Sequence, residues 1–215
     1  MSKDLENLGS LKKNFNKGKV LLFFPPYPAM NSEKRGERQE HWMPYPFIYL
    51  APFLEKAGYK VVILDARVEP EWKSILLKEL KDTFALGVTS FTGPDLNFAV
   101  EVSKIAKDMN NKIHVIHGGP HATSCPEDFL NEDVADFVFV GPAEFTLPRI
   151  LDALYLKKEI PTDVKGVLYK INGKIVGDKS SPPTVFDYEE PPAFHLIDIE
   201  KYRSANNIVS YFKTR

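Results

Sequence analysis

The stretch VIHGGPHATSCPEDF, residues 115–129, joins the end of an apolar segment to two glycines, a proline and a histidine. Gly118 and Gly119 can adopt positive φ values that β-branched residues reach only at a cost, and neither carries a side chain that would keep a ligand away. Taken by itself, the stretch fits a tight turn and a ligand-binding loop equally well. The segments on either side of it in the chain are needed to decide between the two.

Short apolar segments recur along the chain and end in each case at proline, glycine or polar residues. None of them alternates cleanly between apolar and polar residues, which is typical of strands buried on both faces of a parallel sheet. Helical patterns separate these strands, so the order predicts a doubly wound, flavodoxin-like (Rossmann-like) α/β fold with a five-stranded parallel sheet of order 2-1-3-4-5. The predicted strands cover 19–24, 60–65, 84–90, 112–117 and 136–141, and the predicted helices cover 45–58, 69–82, 93–110, a short turn at 125–131, and 143–158.

The pattern changes after residue 160. Residues 166–178 contain Asn172-Gly173 between two β-rich arms, which is a strong signal of a hairpin. The stretch 179–204 that follows is rich in proline and predicts an extended connector. We therefore expect a flexible lead-in over 1–18, an α/β domain over 19–160, and a C-terminal β-hairpin with an extended linker over 161–215.

Composition narrows the function classes. The chain has 215 residues, a formal net charge of -1, 43% hydrophobic and 27% charged residues, so its charge gives no reason to expect binding to nucleic acid or to an anionic membrane. No apolar run approaches the roughly 20 residues of a membrane span, and the N-terminus has no signal-peptide core, so we expect a cytoplasmic protein. Cys125 is the single cysteine, so this chain alone can form neither a disulfide bond nor a cysteine-ligated metal site.

Loops rich in small residues follow the predicted strands. In an open α/β sheet, ligands bind beyond the carboxyl ends of the strands, where these loops would meet. No phosphate-binding glycine motif of the P-loop or dinucleotide type is present, which argues against those nucleotide sites. His117 and His121 could meet a ligand, but they lack a convincing carboxylate partner, and we predict no metal site from protein ligands. The loops concerned are the one that begins at Pro25, TSFTGP (89–94), GGPHATSCP (118–126) and GPAEFT (141–146).

Several of these motifs, taken in order, resemble the N-terminal cobalamin-binding domain of B12-dependent radical S-adenosylmethionine enzymes. The resemblance covers roughly residues 19–155. Residues 166–176 and 191–203 resemble the connection from that domain to the radical barrel, and 207–215 resembles the last residues before the barrel's three-cysteine loop. We therefore expect a radical barrel to follow Arg215 in cis. The motifs are KVLLFFPPYP, YLAPFLEKAGYKVVILD, GVTSFTGP, VIHGGPHATSCPEDFL and DFVFVGPAEFTLPRIL.

The resemblance implies a cobalamin (B12) that lies across the carboxyl ends of the strands, with its nucleotide tail in a cleft beside the sheet. It implies the chemistry of a methyltransferase or a cyclase, with a [4Fe-4S] cluster and S-adenosylmethionine held only in the barrel. It assigns no catalytic residue and no metal ligand to this chain. The family more often has Gly-Glu-Gly-Glu where Pro142 and Ala143 depart from that pattern. The expected cofactor-binding residues are Pro25, Pro26, Tyr27, Thr89, Ser90, Phe91, Thr92, Gly118, Gly119, Pro120, His121, Gly141, Pro142, Ala143 and Glu144.

The string Asp-x-His-x-x-Gly, which supplies a cobalt-ligating histidine in other cobalamin domains, is missing from this chain. We therefore predict that no histidine replaces the benzimidazole of the cofactor in that manner. The sequence is also compatible with two other function classes: a flavodoxin-like signalling or interaction domain without a corrin, and a flavin- or nucleotide-binding protein. A receiver domain is disfavoured, because Pro25 and Pro26 stand where it needs acidic residues.

Overall fold

The computed structural model describes residues 15–26, 42–183 and 190–202. Within these residues one seven-stranded sheet is covered by helices on both faces. Tyr27 and the stretch 207–215 lie outside the described residues. The elements are β1 (Lys19–Phe24), α1 (Tyr45–Lys56), β2 (Lys60–Asp65), α2 (Trp72–Leu80), β3 (Thr83–Thr89), α3 (Asp95–Met109), β4 (His114–Gly118), α4 (Gly119–Ser124), α5 (Asp128–Asn131), β5 (Phe137–Phe139), α6 (Thr146–Tyr155), β6 (Val167–Ile171) and β7 (Lys174–Asp178), followed by short 3₁₀ helices at Phe194–Leu196 and Ile199–Tyr202.

The sheet has the strand order β2-β1-β3-β4-β5-β6-β7. Its first five strands are parallel and follow the predicted order 2-1-3-4-5, so the predicted fold class is confirmed. The predicted hairpin also forms, and it continues the same sheet, because β6 pairs antiparallel with β5. Asn172 and Gly173 at its turn have φ values of 51° and 77°, as a two-residue hairpin turn that matches the twist of the strands requires.

Both faces of the central parallel strands are buried, which explains why these strands read as continuous apolar segments. In β1, Leu22 and Phe24 point toward the face covered by α1 and α6, whereas Leu21 and Phe23 point toward the face covered by α2 and α3. All four side chains are buried. A cofactor that lies on the first face therefore has to share space with α1 and α6.

Residues 190–202, hereafter the C-terminal segment, pack against α1. Pro52 lies inside this helix and has no N–H to donate to the carbonyl oxygen of Ile48, four residues earlier. The N–H of Ala193 donates to that oxygen instead, at a distance of 2.9 Å. The helix therefore keeps a buried proline because another part of the chain supplies the missing hydrogen bond.

Two further contacts hold the C-terminal segment on the domain. Nε2 of His195 lies 2.9 Å from a carboxylate oxygen of Glu55, a residue of α1 that is buried. The hydroxyl of Tyr202 donates to Oδ2 of Asp65 at 2.9 Å, at the carboxyl end of β2. The segment thus runs along α1 and ends at the edge of the sheet where the first two strands end.

One predicted loop is partly helical. The sequence prediction treated 118–126 as a loop, but Gly119–Ser124 form α4, which begins directly after β4. Pro120 lies in the first turn of this helix, where its missing N–H removes no hydrogen bond. None of the helices among the described residues is both long and apolar enough to cross a membrane.

Candidate functional site

A partly open cleft of about 370 Å³ lies between the sheet and the helices α1 and α6, at the carboxyl edge of the strands. Its floor follows the register of the central strands. Leu22 pairs with Gly87, and Gly87 pairs with Ile116, so these three residues form one row across the sheet. Thr89 and Gly118 pair in the next row on the same face, about 6.6 Å farther along the strands.

Two positions in the floor, Gly118 and Gly87, are glycines and therefore place no side chain over the sheet. At Gly118, a Cβ atom would meet nothing within 4 Å, and the backbone is extended with a φ of -144°. The conformation there does not require glycine, so the absent side chain leaves open space in the cleft. At Gly87, a Cβ atom would lie 2.9 Å from Cδ2 of Leu22, whose side chain leans over the strand.

Gly119 is glycine for a different reason. Its φ is 90°, and a Cβ atom there would lie 2.5 Å from Oγ1 of Thr89 and 3.0 Å from the backbone N and O of Ser90. The N–H of His121 donates to the carbonyl oxygen of Ser90 at 3.0 Å, which brings the first turn of α4 close to the end of β3. This close approach leaves no room for a side chain at Gly119.

The walls of the cleft are apolar. Phe47 and Leu50 contribute from α1, Leu147 from α6 and Phe139 from the end of β5. Among the described residues that line the cleft, Thr89 and Glu144 carry the polar side chains, and both follow or end a strand at the open edge. The cleft can therefore take an apolar group at depth and offers polar groups where the strands end.

The structure separates the predicted site residues into those that line the cleft and those that lie elsewhere. Ser90 is fully buried, Pro25 is buried, and Pro26 is half-buried directly after β1. Tyr27 is outside the described residues. The predicted residues that line the cleft are Thr89, Phe91, Gly118, Gly119, Pro120, Gly141, Pro142, Ala143 and Glu144; those among the described residues that do not line it are Pro25, Pro26, Ser90, Thr92 and His121.

Ser90 and His121 connect the loops that form the edge of the cleft. The backbone N–H and the hydroxyl of Ser90 donate to the carbonyl oxygen of Gly118, at 3.0 and 2.9 Å. Nδ1 of His121 lies 3.2 Å from Oγ1 of Thr92, and its Nε2 lies 3.3 Å from Oδ2 of Asp128. These side chains link the loop after β3 to α4 without lining the cleft.

His117 lies on the opposite face of the sheet and is fully buried. Its ring stacks on Phe129 with 3.9 Å between the ring centroids, and its Nε2 lies 2.8 Å from Oγ of Ser103. Because the Ser103 hydroxyl donates to the carbonyl oxygen of Ala99, the histidine is the donor in this contact and carries its proton on Nε2. Burial lowers the pKa of His117 to about 3, so the ring is neutral and packs in the core.

The sequence prediction missed the deep part of the cleft. Leu22, Gly87 and Ile116 lie inside strands, and most of the wall residues lie on helices, whereas the predicted site residues all came from loops. Gly87 did carry a signal, because glycine in the interior of an apolar strand weakens the strand and often marks a place where another group approaches closely.

Within the described ranges, no group of three or more histidine, cysteine, aspartate or glutamate side chains is arranged to hold a metal ion.

Comparisons with known proteins show what this chain is similar to. The chain is 31% identical over 190 residues to the uncharacterized methyltransferase PH0819 of Pyrococcus horikoshii. That alignment covers 86% of this chain and 40% of the relative, so the chain spans less than half of the relative's length.

Solved structures with the same fold include two radical S-adenosylmethionine enzymes. The cobalamin-dependent enzyme OxsB, with aqua-cobalamin and S-adenosylmethionine bound, has a TM-score of 0.68 at 18% identity over 87% of this chain and 25% of its own. The methyltransferase TsrM of Kitasatospora setae, with tryptophan substrate and an S-adenosylmethionine analogue bound, has a TM-score of 0.60 at 19% identity over 74% of this chain and 29% of its own.

The family model described as the B12 binding domain matches residues 35–151, which is more than half of the chain. The match includes β3, β4 and β5 and the loops that form the edge of the cleft. On this evidence the chain belongs to the B12-binding domain family.

Proposed function

We propose that this chain holds a cobalamin across the carboxyl edge of its sheet, with the nucleotide tail of the cofactor in the cleft beneath α1 and α6. The open space at Gly118 carries the proposal. It lies in the floor of an apolar cleft in a chain of the B12-binding family, and the backbone there does not need glycine for its own conformation. A ligand that occupies this space would explain why residue 118 is a glycine.

The residues at this edge fit a large ligand that is apolar in part and polar in part. Gly118 and Gly119 let the ligand approach the backbone, and Phe91 and Pro120 provide apolar contacts at the rim. Thr89 and Glu144 offer a hydroxyl and a carboxylate to the polar atoms of the nucleotide tail. Ser90, Thr92 and His121 act as positioning residues, because they fix the loops without lining the cleft.

Pro25 and Pro26, directly after β1, belong to the proposed site as residues near the corrin, and Tyr27 is a further cofactor-binding residue proposed from the sequence alone. When bound, cobalamin would supply a cobalt centre that carries a methyl group. We propose that no histidine of this chain replaces the benzimidazole in the manner of the Asp-x-His-x-x-Gly proteins. In support, His117 is buried on the opposite face of the sheet, and both ring nitrogens of His121 face Thr92 and Asp128.

The wider role we propose is that of the B12 domain of a radical S-adenosylmethionine enzyme, a methyltransferase or a cyclase. The similarity to PH0819, OxsB and TsrM supports it. The cluster and S-adenosylmethionine would then be held by a barrel in cis, since this chain has one cysteine. In this arrangement residues 161–215 form the connection toward that barrel, with the hairpin and the C-terminal segment packed on the domain.

Retention of the cofactor tests the proposal. The 215-residue chain is mixed with hydroxocobalamin, passed over a desalting column and examined by visible spectroscopy, with flavin mononucleotide as a parallel sample. We expect the corrin spectrum to travel with the protein in about equimolar amount and the flavin to be left behind. If the flavin is retained and the corrin is lost, the proposal fails and the chain is a flavin-binding protein.

A further inference from the structure

We propose that the cleft selects among cobamides by the chemistry of the lower base, and that it prefers apolar aromatic bases to purines. The preferred class includes cobamides with 5,6-dimethylbenzimidazole or with a phenolic base, and the disfavoured class includes those with adenine. This inference rests on the proposed function, since it concerns the group that enters the same cleft.

The side chains in the deep part of the cleft are hydrocarbon. Leu22 and Ile116 flank Gly87 in the floor, and Leu50 and Leu147 face them from the helices. The side chain of Thr89 lies one residue row toward the open edge, and Glu144 belongs to the loop that follows β5. The four side chains around Gly87 therefore offer no hydrogen bond to a base that reaches this level.

Several backbone groups around the cleft are already engaged in hydrogen bonds. The carbonyl oxygen of Gly118 accepts two hydrogen bonds from Ser90. The N–H of Gly141 donates to Oγ1 of Thr123 at 3.1 Å, and the N–H of Leu147 donates to the carbonyl oxygen of Ala143 at 2.8 Å. The ladder of the parallel strands uses the groups in the floor. These backbone groups therefore have little capacity left for a polar ligand.

The three kinds of base differ in how many polar atoms they would bring into this space. Adenine carries an exocyclic amine and several ring nitrogens, dimethylbenzimidazole has one free ring nitrogen and two methyl groups, and a cresol base has none beyond its link to the ribose. Each polar atom that leaves water without gaining a partner weakens binding by about tenfold or somewhat more. We therefore expect the adenine cobamide to bind at least about tenfold more weakly than cobalamin.

The test compares dissociation constants of four probes for the 215-residue chain: hydroxocobalamin, the p-cresol cobamide, the adenine cobamide, and cobinamide, which lacks the nucleotide tail. Binding is followed by equilibrium dialysis with detection of the corrin absorbance. The expected order of affinity is p-cresol cobamide and hydroxocobalamin first, then the adenine cobamide. Cobinamide is expected to bind more weakly than hydroxocobalamin, because it cannot use the cleft.

A variant pair links the preference to the cleft wall. Leu50 is half-buried on α1 and lines the cleft, so Leu50→Gln introduces an amide that can pair with a purine. Leu77 is 45% exposed on α2, outside the cleft lining, and Leu77→Gln makes the same change there. We expect Leu50→Gln to reduce the preference for cobalamin over the adenine cobamide by about threefold to tenfold, and Leu77→Gln to leave it unchanged.

The outcomes separate this inference from the proposed function. If all corrinoids bind and the adenine cobamide binds as tightly as cobalamin, the selectivity is overturned and the cobalamin site stands. Equal binding of cobinamide and cobalamin also overturns the selectivity, because the tail then contributes nothing. If none of the four corrinoids binds, the proposed function itself has failed. If Leu50→Gln and Leu77→Gln changed the preference for cobalamin over the adenine cobamide equally, the preference would not arise from the cleft wall. That result would contradict the inference.

Discussion

The N–H of Ala193 donates a 2.9 Å hydrogen bond to the carbonyl oxygen of Ile48, the oxygen that Pro52 leaves without a donor in α1. The same helix carries Phe47 and Leu50 into the wall of the cleft. The contact therefore fastens the C-terminal segment to the helix that encloses the candidate cofactor site. Pro52 and the buried Ala193, 141 positions later in the chain, are thus linked through the carbonyl oxygen of Ile48.

A double-mutant cycle measures this contact. Ala193→Pro removes the donor, and the φ of -79° at Ala193 suits proline, so we expect a loss of about 1 to 3 kcal/mol in the free energy of unfolding. In a Pro52→Ala background, the new N–H at position 52 can pair with Ile48 within the helix, and the same change should cost about 1 kcal/mol less. Urea denaturation of the four proteins gives the coupling.

The cycle also controls for crowding. The proline ring adds atoms at a buried position, and this cost is common to both backgrounds, so it cancels in the coupling energy. A coupling near zero would mean that the hydrogen bond from Ala193 does not compensate for Pro52.

Substitutions at Gly118 should affect binding and stability in opposite directions. Because a Cβ atom there meets nothing within 4 Å and the backbone is extended, Gly118→Val should leave the fold intact and raise the free energy of unfolding by about 0.5 to 1 kcal/mol. Its side chain would occupy the cleft, so the dissociation constant for hydroxocobalamin should rise by about tenfold or more.

The series Gly118→Ala, Gly118→Val and Gly118→Leu should show weaker binding with each increase in size. Cobinamide serves as the matched ligand, and its affinity should be the same for all four proteins. Unchanged cobalamin affinity in a folded Gly118→Leu protein would rule out the cleft as the site of the nucleotide tail.

The adjacent glycine should respond differently. Gly119 has a φ of 90°, and an added Cβ atom would lie 2.5 Å from Oγ1 of Thr89. Gly119→Ala is therefore expected to lower the free energy of unfolding by about 1 to 3 kcal/mol, through backbone strain and crowding. Thermal denaturation of Gly119→Ala and Gly118→Ala in the absence of ligand compares the stability of the two variants. Equal stability of the two alanine variants would contradict this assignment of roles.

His117 should make the stability of the protein depend on pH. Burial lowers its pKa in the folded protein to about 3, with a smaller contribution from His121, whereas its ordinary value is 6.5. Between these values the unfolded chain binds a proton that the folded chain excludes, so this group lowers stability as the pH falls below about 6.5. At pH 7 and above it has no effect, because the ring is neutral in both states.

Replacement by glutamine removes this titration. From pH 7 to pH 5 the wild-type protein should lose about 2 kcal/mol more of its unfolding free energy than His117→Gln does. Urea denaturation at both pH values gives the two losses, and the remaining titratable groups cancel in the difference. Parallel losses in the two proteins would mean that His117 is accessible to protons in the folded state.

The strands and their order could be predicted from the sequence because each strand is marked locally. The predicted strands 19–24 and 60–65 coincide with β1 and β2, since Pro25 and Asp65 mark where the apolar segments end. The prediction that small residues meet at the carboxyl edge used only one further rule, that parallel strands end on the same side.

The depth of the cleft could not be predicted in the same way. It depends on how far α1 and α6 stand from the floor, which is set by contacts between residues distant in the chain. The hydrogen bond from Ala193 to Ile48 is one of these contacts. The prediction for 118–126 lacked α4, whose first turn contacts the end of β3 through the hydrogen bond from the N–H of His121 to the carbonyl oxygen of Ser90.

Electron paramagnetic resonance of the protein loaded with cob(II)alamin tests the central claim most directly. If the nucleotide tail lies in the cleft and no histidine of this chain binds the cobalt, no nitrogen is coordinated below the metal. The cobalt hyperfine lines should then lack the triplet splitting that free cob(II)alamin shows at neutral pH. Persistence of the triplet in the protein-bound signal would place a nitrogen on the cobalt and contradict the account.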